Sequence, residues 1–245
     1  MKNKIFQKFL DLIFVKDIKC IYCNKELNKP HKYCLCENCY SKLKFNNQKV
    51  CSDCGIAIFG FADKCPKCLV NKNNFQKAYS IFVYEGIIKD LVKKFKFSQA
   101  KYLGEYLGLF LYEKYIELGL NCDIIIPVPV HKKTLKIRGY NQAEVLCWYL
   151  KNDFCVRTDI LYKEKITNEQ AKLNFKDRTT NLKNTFIIKN QEVIKNKTIL
   201  LIDDVLTTGS TANECSKILR EFGAKKVYVL TLCSTAYNLI EKINY

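Results

Sequence analysis

The chain has 245 residues, with 41 Lys and Arg against 24 Asp and Glu, for a formal charge of +17 at pH 7. That length accommodates one large or two modest domains, and a hydrophobic fraction of 48% excludes a chain disordered by composition. The charge suits polyanionic partners such as nucleic acid, phosphorylated ligands or an anionic membrane surface; the abundance of Lys, Asn and Ile is equally what a lysine-biased genome would give.

At the start, Phe6, Phe9, Leu10, Ile13 and Phe14 share one face of a helix, interrupted by Lys8, Asp11, Lys16 and Asp17. The stripe is suited to packing on the body or on a partner rather than to membrane insertion, and no small-residue cleavage site follows it. No apolar run reaches transmembrane length. These features predict a cytoplasmic chain, in which its 14 cysteines are free thiols or metal ligands rather than disulfides.

Residues 20–68 carry four Cys-x-x-Cys pairs: Cys20 and Cys23, Cys36 and Cys39, Cys51 and Cys54, Cys65 and Cys68. Two thiolates at this spacing take adjacent corners of a tetrahedron, so two such knuckles close a four-thiolate zinc site. Four knuckles supply two structural zinc ions. The simplest assignment is sequential, and the short gaps leave a cross-braced pairing open, with His31 and Cys34 as spare ligands. A turn-rich unit of this size depends on metal to fold, and chelation is expected to unfold it while sparing the rest. The polar run at residues 71–74 reads as a linker, giving two domains: 1–74, an N-terminal helix and double zinc ribbon, and 75–245.

Beyond the linker, strands alternate with helices. Strands are expected at 78–84, 122–127, 154–161, 185–188, 198–202 and 226–232. Helices are expected at 87–97, 101–118, 138–150 and after Ala212. The alternation predicts an α/β fold with a mostly parallel sheet and flanking helices. Residues 163–181 are polar and without period, the mark of a functional loop. The dispersed Cys122, Cys147, Cys155, Cys215 and Cys233 read as small core residues.

Three segments carry chemistry. The apolar run 198–202 leads into Asp203, Asp204 and Val205, then into Thr207, Thr208, Gly209, Ser210 and Thr211 ahead of a helix. A turn between a strand's carboxyl end and a helix's amino end binds ligands in open α/β sheets, and helix-start N–H groups suit phosphate. The carboxylates are acceptors for a sugar diol or, through water, a metal. The segment Pro127-Val-Pro129-Val130-His131-Lys132, followed by Arg138, Asn141 and Gln142, reads as a pyrophosphate loop, with Arg138 as a bidentate donor. Gln170, Arg178 and Asn181 lie in the long polar loop and suit a flap over a polyanion.

The acidic pair and its Thr-Thr-Gly loop resemble the phosphoribosyl pyrophosphate (PRPP) signature of type I phosphoribosyltransferases. The resemblance implies that Asp203 and Asp204 hold the ribose hydroxyls, that Thr207 to Thr211 cradle the 5-phosphate, and that magnesium accompanies PRPP. The four knuckles, Tyr84-Glu-Gly86, Leu91-x-x-x-Phe95-Lys96-Phe97, Pro127-Val-Pro129, Arg138-Gly-Tyr-Asn-Gln142, Gln170 to Asn181 and Asp203-Asp204 occur in the order of the ComF family, which the chain resembles from about Cys20 to Leu232. That resemblance implies a phosphoribosyltransferase-like protein of DNA uptake and natural transformation, acting with a competence helicase. Single-stranded DNA is then expected on the basic ribbon surface and on Lys93-Lys94-Phe95-Lys96-Phe97, with Tyr22, Tyr33, Phe45 and Phe59 as stacking platforms or, equally, as a mini-core around the metals. The alternative is an active phosphoribosyltransferase with an unknown acceptor. No general base is evident, and no hood for a second substrate.

Overall fold

A computed structural model describes residues 18–27, 29, 31–47, 49–58, 61–164 and 185–236. In chain order these form α1 (Glu37–Tyr40), α2 (Pro66–Val70), β1 (Lys77–Val83), α3 (Gly86–Phe97), α4 (Leu103–Leu118), β2 (Ile124–Pro127), α5 (Lys132–Arg138), α6 (Gln142–Leu146), α7 (Leu150–Asp153), β3 (Leu161–Lys163), β4 (Phe186–Ile188), β5 (Thr198–Leu206), α8 (Ser210–Glu221) and β6 (Lys226–Ser234). A 3-10 turn, Gln191–Ile194, precedes β5.

Four strands make a parallel sheet in the order β1-β6-β5-β2. Ile199 to Ile202 and Val229, Leu230 and Leu232 are wholly buried, as expected of central strands covered on both faces. The helix α3 turns Ile88, Leu91, Val92 and Phe95 inward, at the i, i+3, i+4, i+7 spacing of an amphipathic helix. Leu103, Leu107, Phe110 and Leu111 do the same on α4. The expected α/β architecture is present. Among the described residues no helix is long and apolar enough to cross a membrane.

Several expected elements differ. Strand β5 does not end at Ile202 but runs on to Leu206, because Asp203, Val205 and Leu206 pair with Thr231, Cys233 and Ser234 of β6. The helix expected over 138–150 is broken: Gly139 adopts φ +79° and ends α5, and Asn141 restarts the chain as the cap of α6. The expected strand 154–161 reduces to one parallel bridge from Val156 to Ile125. Leu161–Lys163 instead forms an antiparallel ribbon with Phe186–Ile188, outside the main sheet. The N-terminal stripe at Phe6 to Phe14, and Gln170, Arg178 and Asn181, lie outside the described residues.

The boundary at residue 74 does not separate two cores. One hydrophobic cluster joins Cys20, Tyr33, Leu35 and Cys39 to Phe82, Phe95 and Phe110. The other joins Cys51, Cys54, Cys65 and Cys68 to Ala78, Cys215 and Val229. Of the four aromatics expected either to stack on DNA or to form a mini-core, two pack against the sheet domain: Tyr33 stacks on Phe110 at 3.6 Å, and the half-buried Phe45 packs on Phe82 at 4.8 Å. Tyr22 donates to Asp90 at 3.2 Å; Phe59 is not among the described residues.

Candidate functional site

The parallel register puts the carboxyl ends of β1, β2 and β5 on one edge of the sheet, and two of the three segments singled out above meet there, the turn after β2 and the end of β5, joined by the bond from Val128 N–H to the Ile202 carbonyl at 2.8 Å. Residues 203 and 204 follow each other along a strand, so their side chains face opposite sides of the sheet. Their surroundings differ accordingly. Asp204 is buried and pairs with Lys96 of α3 at 2.8 Å. Burial disfavours the Lys96 ammonium, but Asp204 outweighs it and holds the lysine above its ordinary value. Asp203 accepts from the Asp204 backbone N–H at 2.8 Å. Burial, and then the neighbouring charge of Asp204, push its carboxyl up to about 7; Lys96 and Lys163 partly offset this.

The loop that follows is tightly tied. Thr208 Oγ1 lies 2.9 Å from Ser210 Oγ and accepts from the Ser210 backbone N–H at 3.3 Å. Gly209 sits at φ +70°, a left-handed conformation that lets the chain turn directly into α8. Thr207 is exposed, and Ser210 and Thr211 are half-buried at the helix start. On the other side, the Thr208 carbonyl accepts from Lys67 of α2.

The β2–α6 segment is held by its own side chains. Asn141 accepts from Ala143 N–H at 3.1 Å and donates to the Val128 carbonyl at 3.1 Å, joining α6 to the proline turn. His131 caps α5: its Nδ1 accepts from Lys133 N–H at 3.1 Å, so Nε2 carries the proton and donates to the Glu164 carbonyl at 2.8 Å. Gln142 is buried and accepts from Arg138 at 3.3 Å. Asn141, Gln142 and His131 thus position the loop, while in it Val130 is half-buried and Lys132 is exposed. The Arg138 guanidinium also stacks on Phe97 at 5.1 Å. A cavity of about 290 Å³, lined by Lys96, Phe97, Gln99, Thr134, Ile137 and Arg138, lies beside the Lys96–Asp204 pair.

The eight paired cysteines gather in chain order. Cys20, Cys23, Cys36 and Cys39 form one group, and Cys51, Cys54, Cys65 and Cys68 the other, each with sulfurs within 4.8 Å of one another. The distances Cys23–Cys36 and Cys54–Cys65 are both 3.7 Å. A tetrahedron with metal–sulfur bonds of about 2.3 Å has edges of about 3.8 Å, so both groups fit a tetrahedral metal ion such as zinc. Backbone N–H of Cys65 donates to Cys51 Sγ at 3.3 Å, and Asn73 donates to Cys68 Sγ at 3.2 Å, the bonds a thiolate attracts. His31 and Cys34 belong to neither group: the Cys34 thiol donates to the Lys19 carbonyl, and the His31 ring packs on Tyr33 and Tyr40.

Lys67 was not singled out from the sequence, and Lys96 was read there as part of a basic stretch for DNA rather than as the partner of Asp204. A polar cleft of about 840 Å³ also opens between the second cysteine group and the α8–β6 edge, with Lys64, Lys72, Arg220 and Lys226 on its walls.

A family model described as the phosphoribosyl transferase domain matches residues 152–244. The chain is 33% identical over 222 residues to Competence protein F of Haemophilus influenzae, covering 87% of this chain and 95% of that protein. It is 28% identical over 223 residues to DNA utilization protein YhgH of Escherichia coli, covering 88% and 96%. It is 29% identical over 205 residues to Competence protein ComFC of Streptococcus pneumoniae, covering 81% and 87%.

Proposed function

The chain belongs to the ComF family, a phosphoribosyltransferase domain preceded by a cysteine-rich ribbon, and from that premise we propose that it binds PRPP with magnesium and handles single-stranded DNA in natural transformation. The observation that carries the ligand half is the convergence at the end of β5. Two carboxylates, one half-buried and one buried and paired to Lys96, lead into a hydroxyl-rich loop with a left-handed glycine and a twelve-residue helix behind it. An acidic pair accepts from a ribose diol, and the loop with its helix start receives a phosphate. Arg138 and Lys132 flank the same edge, where the pyrophosphate would lie. Two zinc ions in the cysteine groups have no open coordination position, so their role is structural. The proposal is one of binding; among the described residues no general base is assigned.

The DNA half rests on charge and form. Lys72 and Lys226 line a polar cleft beside the ribbon, and Phe61 and Phe97 are exposed aromatics. The competence and DNA-utilization names of the relatives support the same role. Calorimetry with PRPP and magnesium tests the first half: Asp203→Asn/Asp204→Asn should abolish binding, and unchanged affinity would refute it. Anisotropy with a labelled single strand tests the second. Affinity should fall with salt at a log–log slope of about −0.7 per phosphate contact, and Lys72→Glu/Lys226→Glu should flatten that slope. No binding by the intact chain at low salt would sink it.

A further inference from the structure

The second cysteine group is bonded directly to the phosphate loop. Lys67 lies between Cys65 and Cys68, and its ammonium donates to the Thr208 carbonyl. Its Nζ stands 4.0 Å from where a side chain on Gly209 would begin. A second strand of contacts runs in parallel. Asn73 donates to Cys68 Sγ, and its neighbour Asn74 gives its backbone N–H at 2.6 Å and its side-chain amide at 3.2 Å to Asn213 in the first turn of α8. The loop is therefore held before Gly209 and after it by residues attached to one metal knuckle. The first group makes no such link among the described residues; its surroundings bond instead to α3 and α4, through Tyr22 to Asp90 and Lys32 to Glu113.

A loop that receives an anion must aim N–H groups at it and keep carbonyl oxygens from it. An ammonium on the Thr208 carbonyl neutralises an oxygen at the centre of this loop and adds positive charge beside Gly209. Lys67 holds that position only while α2 does. That helix has five residues, too few to be stable alone, and its N-cap Cys65 and its Cys68 are two of the four metal ligands. The metal thus fixes the element from which Lys67 reaches the loop.

We propose that Lys67 is a positioning residue for the phosphate loop, and that it couples the second metal site to the binding of a phosphate monoester there. The coupling is reciprocal: metal at Cys51, Cys54, Cys65 and Cys68 tightens the anion, and the anion tightens that metal. The inference rests on the phosphate reading of the loop given above.

The test uses the intact, zinc-loaded chain and ribose 5-phosphate as probe. Competition with a chromophoric chelator reads the affinity of each zinc, and calorimetry reads the sugar phosphate. Saturating ribose 5-phosphate should tighten one of the two zinc ions by about fivefold or more, the range of ordinary allosteric coupling, and leave the other unmoved. Lys67→Met should keep both metals, weaken ribose 5-phosphate by the same factor, and abolish the effect of the sugar phosphate on zinc. Lys67→Arg should restore both. A lysine that only braced the fold would shift the unfolding midpoint and leave that dependence intact. Zinc affinity indifferent to ribose 5-phosphate, in a chain that binds it, would overturn the coupling while leaving the site assignment standing. Wild-type chain that binds neither ribose 5-phosphate nor PRPP would overturn both.

Discussion

Replacing Lys96 by methionine removes the cation that is paired with Asp204 among the described residues. The pair is close, at 2.8 Å, and enclosed, with 22% of the lysine side chain and 9% of the aspartate accessible. At an effective dielectric of about 20, two unit charges at this separation attract by roughly 6 kcal/mol. Desolvation consumes much of that, and breaking a buried pair by deleting one partner costs about 3–5 kcal/mol. Lys96 keeps a fifth of its surface in water, so the lower end applies, about 3 kcal/mol for Lys96→Met. Most of that cost is the orphaned carboxylate. Lys96→Met/Asp204→Asn should therefore recover about 2 kcal/mol of it, a coupling typical of residues in direct contact. Urea unfolding of the wild type, both single variants and the double variant at pH 7 closes the cycle. A Lys96→Met cost below about 0.5 kcal/mol, or a double variant equal to the sum of the singles, would show that the pair does not hold α3 against β5.

Asp203, held up to about 7 by burial and then by Asp204, accepts from a diol most strongly as the carboxylate, so PRPP affinity should rise by up to about tenfold between pH 6 and pH 8. The folded pKa lies above the unfolded one, so the same carboxyl makes stability fall as pH rises from about 4 to 7; a flat calorimetric profile of PRPP binding between pH 6 and pH 8 would discount Asp203 as an acceptor. Gly55→Ala should destabilise the whole chain by more than about 2 kcal/mol, because its Cβ would lie 2.3 Å from the Ala78 carbonyl oxygen, at a φ of +67° that alanine resists. Thermal unfolding checks it, and an unchanged midpoint would mean that the ribbon does not abut β1 as closely as described.

The central strands were legible because full burial leaves an unbroken apolar run: β1, β5 and β6 each start within one residue of expectation. The end of β5 was not, since two aspartates interrupt the apolar run while the backbone pairing continues. The helix over 138–150 failed for a local reason, the left-handed Gly139. Helix α5 was invisible because it buries no residue and so has no apolar period. The cysteine groups were legible from spacing alone, and the sequential order is the one the geometry gathers. Lys96 and Lys67 were not. Lys96 was read as part of a basic DNA stretch, and its role depends on the packing of α3 against β5. Lys67 meets its acceptor across 141 residues of chain, a distance no periodicity encodes.

The shared cores bear on how the ribbon and the sheet work together. Strand β1 is an edge strand, and an open edge invites pairing with another chain. The ribbon closes it. Phe45 bridges to Phe82 in antiparallel fashion, Val83 N–H donates to Lys44 at 2.9 Å, Asn46 N–H donates to Ile81 at 2.7 Å, and Ala78 N–H donates to Asp53 at 2.9 Å. Tyr33 stacks on Phe110, and Leu35 belongs to the same hydrophobic cluster as Phe82. Residues 75–245 without the ribbon would expose that edge, uncover both hydrophobic clusters and lose the Lys67 bond to the Thr208 carbonyl. The ribbon is therefore a wall of the phosphoribosyltransferase body rather than a module appended to it. Loss of DNA binding on removing residues 1–74 would report the collapse of β1 as much as the loss of basic surface. Charge reversals at Lys72 and Lys226, which leave the edge closed, are the changes that separate the two.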